Sequence, residues 1–189
     1  MTTFEYVAVL VSIVVGLGIA HLLHGVGRLI SHPKRWKIYW VHLVWALYTF
    51  LFLVHFWWWE FQMSTVEVWT PQLYMFLILY AVLLFLVCVI LFPNDFADGR
   101  SYREYYYGRR RWFFGLWLGV LTVDTIDTML KGGEYVAGLP ITFWQYQLGG
   151  VVFVCIAMVT RNARFHSACA VIFTLIQLGW LFGLRQPIS

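Results

Sequence analysis

Residues 71–92 read PQLYMFLILYAVLLFLVCVILF. No charged side chain interrupts these 22 residues, and as an α-helix they would measure about 33 Å. Roughly 20 mostly apolar residues suffice to cross the ~30 Å of hydrocarbon in a bilayer. The stretch is therefore long enough to span one. Thr70-Pro71 marks its start, a threonine cap followed by a proline at the first helical position, where a missing N–H costs little.

Outward from that stretch the pattern recurs. Spans are expected at Phe4–Ile30, Ile38–Trp59, Pro71–Phe92, Trp112–Leu130, Pro140–Thr160 and Phe165–Leu184. Hydrophobic residues make up 61% of the 189 and charged ones 12%, with a mean hydropathy of +0.73. A soluble domain carries about a quarter charged residues, so this apolar surplus has to face lipid. The expectation is an all-α integral membrane protein, a single domain over residues 1–189 made of six transmembrane helices. Pro33, Pro71, Pro93, Pro140 and Pro187 all fall at or beyond span ends, which predicts helices free of proline kinks. The first stretch has no basic segment ahead of it and exceeds a signal peptide's core, so it is expected to remain as a span.

Charge sets the expected orientation. Eleven of the 13 basic residues flank the first, third and fifth connections, leaving Lys131 and Arg185 for the other side. By the positive-inside rule the odd-numbered connections are cytoplasmic and both termini lie outside. Trp57, Trp58, Trp59 and Trp69 then mark the outer boundary, and Trp36, Trp40 and Trp112 the inner one. The net charge of +4 belongs to this topology, and nucleic acid is not an expected partner. The longest connection, PNDFADGRSYREYYYGRRR over residues 93–111, is expected to lie on the inner membrane surface. Arg103, Arg109, Arg110 and Arg111 would there contact anionic lipid or a partner.

Ionisable side chains inside a span cost several kcal/mol on the lowest scales, so each asks for a reason. Asp124 and Asp127 share one helical face in TVDTIDT, with Gln147, Gln177 and Ser12 at comparable depth and His55 and Glu60 nearer the outer boundary. One reading is a polar pocket or proton-binding site centred on Asp124. The plainer reading pairs Asp127 with Lys131 one turn on and satisfies Asp124 with Thr128 and the glutamines.

A second group, His21, His24 and His42, lies toward the cytoplasmic side with Arg28 close by and His32 and His166 at the same boundary. Imidazoles from two helices at matched depth fit ligation of a haem b iron, a metal or a quinone site, or a proton relay. Interfacial histidines bonded to backbone carbonyls are the plainer reading. Ser12, Gly16 and Ala20 recur at intervals of four, with Gly18 and Gly25 on an adjacent face and Gly149-Gly150 in the fifth span. Such stripes let helices approach closely, within the bundle or between protomers. Cys88, Cys155 and Cys169 show no ligand spacing and read as small apolar residues. GxSxG, HExxH and P-loop signatures are absent.

The stretches FEYVAVLVSIVVGLGIAHLLHGVGRLI, YWVHLVWALYTFLFL, RRRWFF and TRNARFH resemble an uncharacterised family of small multi-span bacterial inner-membrane proteins. The resemblance implies a bacterial multi-span protein and brings no catalytic or binding residues. The leading functional expectation is a non-enzymatic protein that associates with itself or joins a larger membrane complex. A proton- or ion-coupled carrier using Asp124 and a haem or quinone electron carrier using His21, His24 and His42 are its rivals.

Overall fold

A computed structural model describes residues 3–66 and 69–183. Leu184, Arg185 and Pro187, to which the sequence assigns the last span's end and the outer edge, lie outside the described residues. Seven α-helices follow in order: α1 Thr3–Ser31, α2 Trp40–Glu60, α3 Pro71–Leu91, α4 Tyr102–Leu130, α5 Gly133–Gly138, α6 Ile141–Val159 and α7 Ala163–Gly183. A 3-10 turn over Phe61–Thr65 prolongs α2. All except the short α5 are long and apolar enough to cross a membrane.

These helices form where the side chains allow nothing else in an apolar solvent, because every backbone N–H and C=O must be satisfied within the segment. α3 starts as its sequence predicts, the Thr70 hydroxyl accepting from the Leu73 N–H at 3.2 Å with Pro71 at the first position. α1 packs along α3, α3 along α4, α4 along α6 and α7 along α2. Gly18 and Gly25 supply the close approach of α1 to α3. A Cβ at Gly25 would stand 2.2 Å from the Phe92 ring, and one at Gly18 3.2 Å from Cys88 Sγ. Leu, Ile and Val side chains such as Ile13, Leu79, Leu148, Val159 and Leu175 face outward, leaving the bundle an apolar exterior.

The core is aromatic. Trp45 lies 2% exposed at its centre, stacked on Phe153 at 5.8 Å and met edge-on by Tyr48, Phe113 and Phe114. The two ends of the bundle differ. One gathers Arg28, Arg35, Arg110 and the 93–101 connection and is called here the basic end. The other brings Phe4 against Trp69, and Lys131 against Glu60, and is called the far end.

The basic connection departs from its expected form. Only residues 93–101 are loop, laced to the first connection by backbone bonds from Gly99 N–H to Arg35 C=O (2.8 Å), Lys37 N–H to Arg100 C=O (3.1 Å) and Tyr102 N–H to Lys37 C=O (3.0 Å). Helix α4 begins at Tyr102, capped by Ser101, ten residues before the expected span. Helical spacing explains this: Tyr102, Tyr106 and Arg110 fall on the inward face, while Arg103, Arg109 and Arg111 point out. The tyrosines pay the cost of helix extension by joining the core, so the polar residues do not end the helix.

Candidate functional site

Two polar clusters mark the interior, one at each end. At the far end α4 carries Asp124 and Asp127 on successive turns, and Lys131 is its C-cap. Lys131 Nζ donates to Asp127 Oδ2 at 2.5 Å and to Glu60 Oε1, on α2, at 3.4 Å. All three side chains are nearly or fully buried. The same ammonium lies 5.5 Å above the Trp59 ring, a cation–π contact. The single cation has two carboxylate acceptors and a ring, while Asp127 Oδ1 is buried without a hydrogen-bond partner, an unfilled position of the kind that makes a buried ion pair costly.

One turn deeper, Asp124 receives the Tyr80 hydroxyl from α3 on Oδ1 at 2.9 Å and the Gln147 amide from α6 on Oδ2. Thr128 bonds the Asp124 backbone carbonyl and leaves the carboxylate alone. Asp124 opens onto a cavity of about 50 Å³ walled by Phe52, Phe56, Trp59, Tyr80, Phe143, Tyr146 and Trp180, with His55 and Gln177 as its other polar residues. Such a volume holds water or a small polar group. The Gln177 amide nitrogen donates to His55 Nδ1 at 3.0 Å, which places the neutral ring's proton on Nε2, and Nε2 has no protein partner. Gln147 Oε1 and Trp59 Nε1 are likewise buried and unpartnered. Tyr48 and Tyr146 close the floor through their hydroxyls at 2.7 Å. Outside the spans, Tyr135 of α5 rests on Trp59. Its burial, and then the nearby Asp127, Asp124 and Glu60 carboxylates, push its phenol upward, so it stays neutral.

The structure brings Asp124, Asp127, Gln147 and Gln177 into one region, together with His55, which the sequence places nearer the outer boundary. Ser12 does not join them. Its hydroxyl bonds the Ala8 carbonyl at 2.6 Å on an exposed face. Asp127 does pair with Lys131, but in the interior rather than near the surface. Tyr80, Tyr146 and Trp180 were not singled out by the sequence, where aromatic residues read as packing and lipid contact. A phenol near the middle of α3, away from either interface, was the available signal for Tyr80.

At the basic end the histidines separate. His21 Nε2 bonds the Phe92 carbonyl at 2.8 Å. His24 is exposed on the outer face. His42 is 2% exposed, with Phe92, Tyr102 and Tyr105 rings 4.9 to 6.3 Å from its own. Phe92 fills the space between Gly25 of α1 and His42 of α2, so no two of these imidazoles face a common gap that would take a haem. Among the described residues no three His, Cys, Asp or Glu side chains gather as a metal site.

The arginine group also divides. Arg110 is 7% exposed and donates to the Tyr107 carbonyl (2.8 Å) and the Val159 carbonyl (3.4 Å), closing the end of α6. Arg103, Arg109 and Arg111 remain exposed. Of the small residues, Ser12, Gly16, Ala20 and Gly149 face outward, and Gly150 packs on Leu121. Cys88 is buried, Cys169 half-buried and Cys155 exposed on an apolar helix face, all as free thiols.

Compared with family models, curated proteins and solved structures, the chain gives no match. The functional reading rests on the geometry.

Proposed function

We propose that this is a multi-pass protein of a bacterial cytoplasmic membrane whose buried carboxylates bind and release a proton or cation, a carrier or channel centred on Asp124. One observation carries the reading: three carboxylates, Glu60, Asp127 and Asp124, share an interior region with a single ammonium, Lys131. Two negative charges without counter-ions cannot be held cheaply at low dielectric. The deficit is met by protons or by a bound cation, and exchange of either is the elementary step of a coupled carrier. Groups facing Asp124 from the packed helices are Tyr80, Gln147, Tyr146, Tyr48 and His55, none of them a permanent cation.

The orientation with both termini outside, and the cytoplasmic placement of the basic end, belong to this proposal and draw on the positive-inside rule. Infrared difference spectroscopy of protein in liposomes tests the chemistry. An acid-minus-alkaline spectrum is expected to carry a buried carboxylic-acid C=O band that Asp124→Asn removes. A spectrum indistinguishable between wild type and Asp124→Asn would sink the reading.

A second reading, self-association or membership of a larger complex, is favoured by the outward face of α1. Nothing lies within 4 Å of a Cβ built at Gly16, and Ser12 and Ala20 flank it on that exposed face. Close helix–helix contact with another chain would use such a stripe. Native mass spectrometry in mild detergent is expected to find oligomers of wild type that Gly16→Leu converts to monomers. A wild type that is monomeric throughout counts against it.

A further inference from the structure

Between α3 and α4 a groove of about 940 Å³ opens at the basic end of the bundle. Its shape follows from two glycines of α4. A Cβ at Gly119 would stand 3.2 Å from Leu83 Cδ2, so there the two helices touch. About three turns earlier, a Cβ at Gly108 would meet nothing within 4 Å, and Gly108 lines the groove. The helices therefore part toward the basic end and leave a wedge between them. Glycine weakens a helix interior, and no contact within this chain asks for it at residue 108. An occupant of the wedge would.

The lining changes character along the wedge. Leu86, Val89, Trp112 and Leu116 make apolar walls, and Leu86 and Trp112 are exposed on helices long enough to span a bilayer. Nearer the basic end the lining is charged, with Asp95 and Arg100 from the 93–101 connection and Glu104 and Arg109 from α4. The Tyr105 hydroxyl donates to the Ile90 carbonyl at 2.7 Å and ties the two walls together. Backbone bonds to the first connection hold the loop that supplies Asp95 and Arg100. The walls are thus fixed by the chain itself.

Two cations and two anions line this one groove, yet none of the four side chains forms an ion pair or hydrogen bond among the described residues. Arg28 reaches the same connection, but the Pro93 and Asn94 carbonyls engage it and it is not part of the lining. Guanidinium groups bind phosphate oxygens through paired N–H bonds, whereas carboxylates only accept and call for a positively charged N–H donor. An anionic headgroup would satisfy the arginines and set its charge against Asp95 and Glu104. A headgroup with both phosphate and ammonium gives each of the four a partner. The apolar walls beyond suit the acyl chain attached to it.

We propose that the α3–α4 groove is a binding site for one phospholipid with a zwitterionic headgroup of the phosphoethanolamine kind. Arg100 and Arg109 take the phosphate, and Asp95 and Glu104 take the ammonium. An acyl chain lies along Gly108, Trp112 and Leu116, which follow one another at intervals of four on α4. The site is separate from Asp124 and does not depend on proton or cation exchange there.

Native mass spectrometry of the detergent-solubilised full chain tests this, with phosphatidylethanolamine and phosphatidylglycerol of identical acyl chains offered in equal amounts. Phosphatidylethanolamine is expected to be retained roughly threefold more. Glu104→Gln, at an exposed position, should bring that ratio to about one. Gly108→Leu fills the wedge and should weaken phosphatidylethanolamine retention by roughly tenfold, with denaturant unfolding checking that the variant is folded. Should it not fold, the Glu104→Gln ratio decides alone. Glycerophosphoethanolamine, the same headgroup without chains, should not displace the lipid. Equal retention of the two lipids, a preference for phosphatidylglycerol, or a preference untouched by Glu104→Gln overturns the proposal. Displacement by glycerophosphoethanolamine overturns it too, since the wedge would then contribute nothing.

Discussion

The polar groups at the basic end of the bundle bond mainly to backbone, whereas those at the far end bond to one another. At the basic end, four charged or imidazole groups are tied to backbone carbonyls, and His42 is the exception, both its ring nitrogens being buried without a hydrogen-bond partner. His21 bonds Phe92, Arg28 bonds Pro93 and Asn94, Arg110 bonds Tyr107 and Val159, and His166 bonds Thr160 and the Tyr106 hydroxyl. The Phe92, Val159 and Thr160 carbonyls stand at helix ends without intrahelical partners, so His21, Arg110 and His166 complete the backbone's own bonding there. At the far end, side chains face side chains: carboxylate against ammonium, phenol and amide, beside an open cavity. The first arrangement fixes helix ends in place. The second leaves charge to be balanced, and the proposed function rests on that difference.

The comparison breaks most decisively at Lys131. Lys131→Met leaves Asp127 and Glu60 buried without their cation, and should cost about 3–5 kcal/mol of stability. Denaturant unfolding in detergent reads this, and the double change with Asp127→Asn should recover part of the loss. Unchanged stability would mean that the triad is hydrated and not the charge trap described. At the basic end, Gly25→Val forces the Phe92 ring aside and should cost about 1–3 kcal/mol in the same measurement. The far-end infrared band should not change. A shifted band would show that the clusters are coupled.

Tyr106→Phe removes one hydroxyl from His166 and should cost about 1 kcal/mol, with the Asp124 infrared band intact. The smallest effect is expected at His24. Exposed and on the outer face, His24→Gln should stay within about 0.5 kcal/mol of wild type and leave the visible absorption spectrum unaltered. A loss of visible absorbance in that variant would restore the haem reading that the position of Phe92 argues against.

Much of this was legible in the sequence because it depends on local composition and length. Six runs of apolar residues, the threonine-proline start of α3 and the depth match of Asp124 with Gln147 and Gln177 all follow from helical rise and the cost of burying polar groups. The start of α4 did not. Residues 102–111 contain as many charges as a surface loop, and only the core on one side of them shows that Tyr102, Tyr106 and Arg110 turn inward together. The outward stripe on α1 likewise could not be told from an inward one, since Gly18 and Gly25 lie on the adjacent face of the same helix.

Length and hydropathy, read along the chain, determined that six helices form and where most of them begin and end. Each depends only on residues within a few turns. Which helix faces meet was decided by the tertiary structure alone. Helical spacing gives the face on which Asp124 sits, but whether that face meets Tyr80 and an aromatic cavity, or lipid, is set by packing between segments distant in sequence.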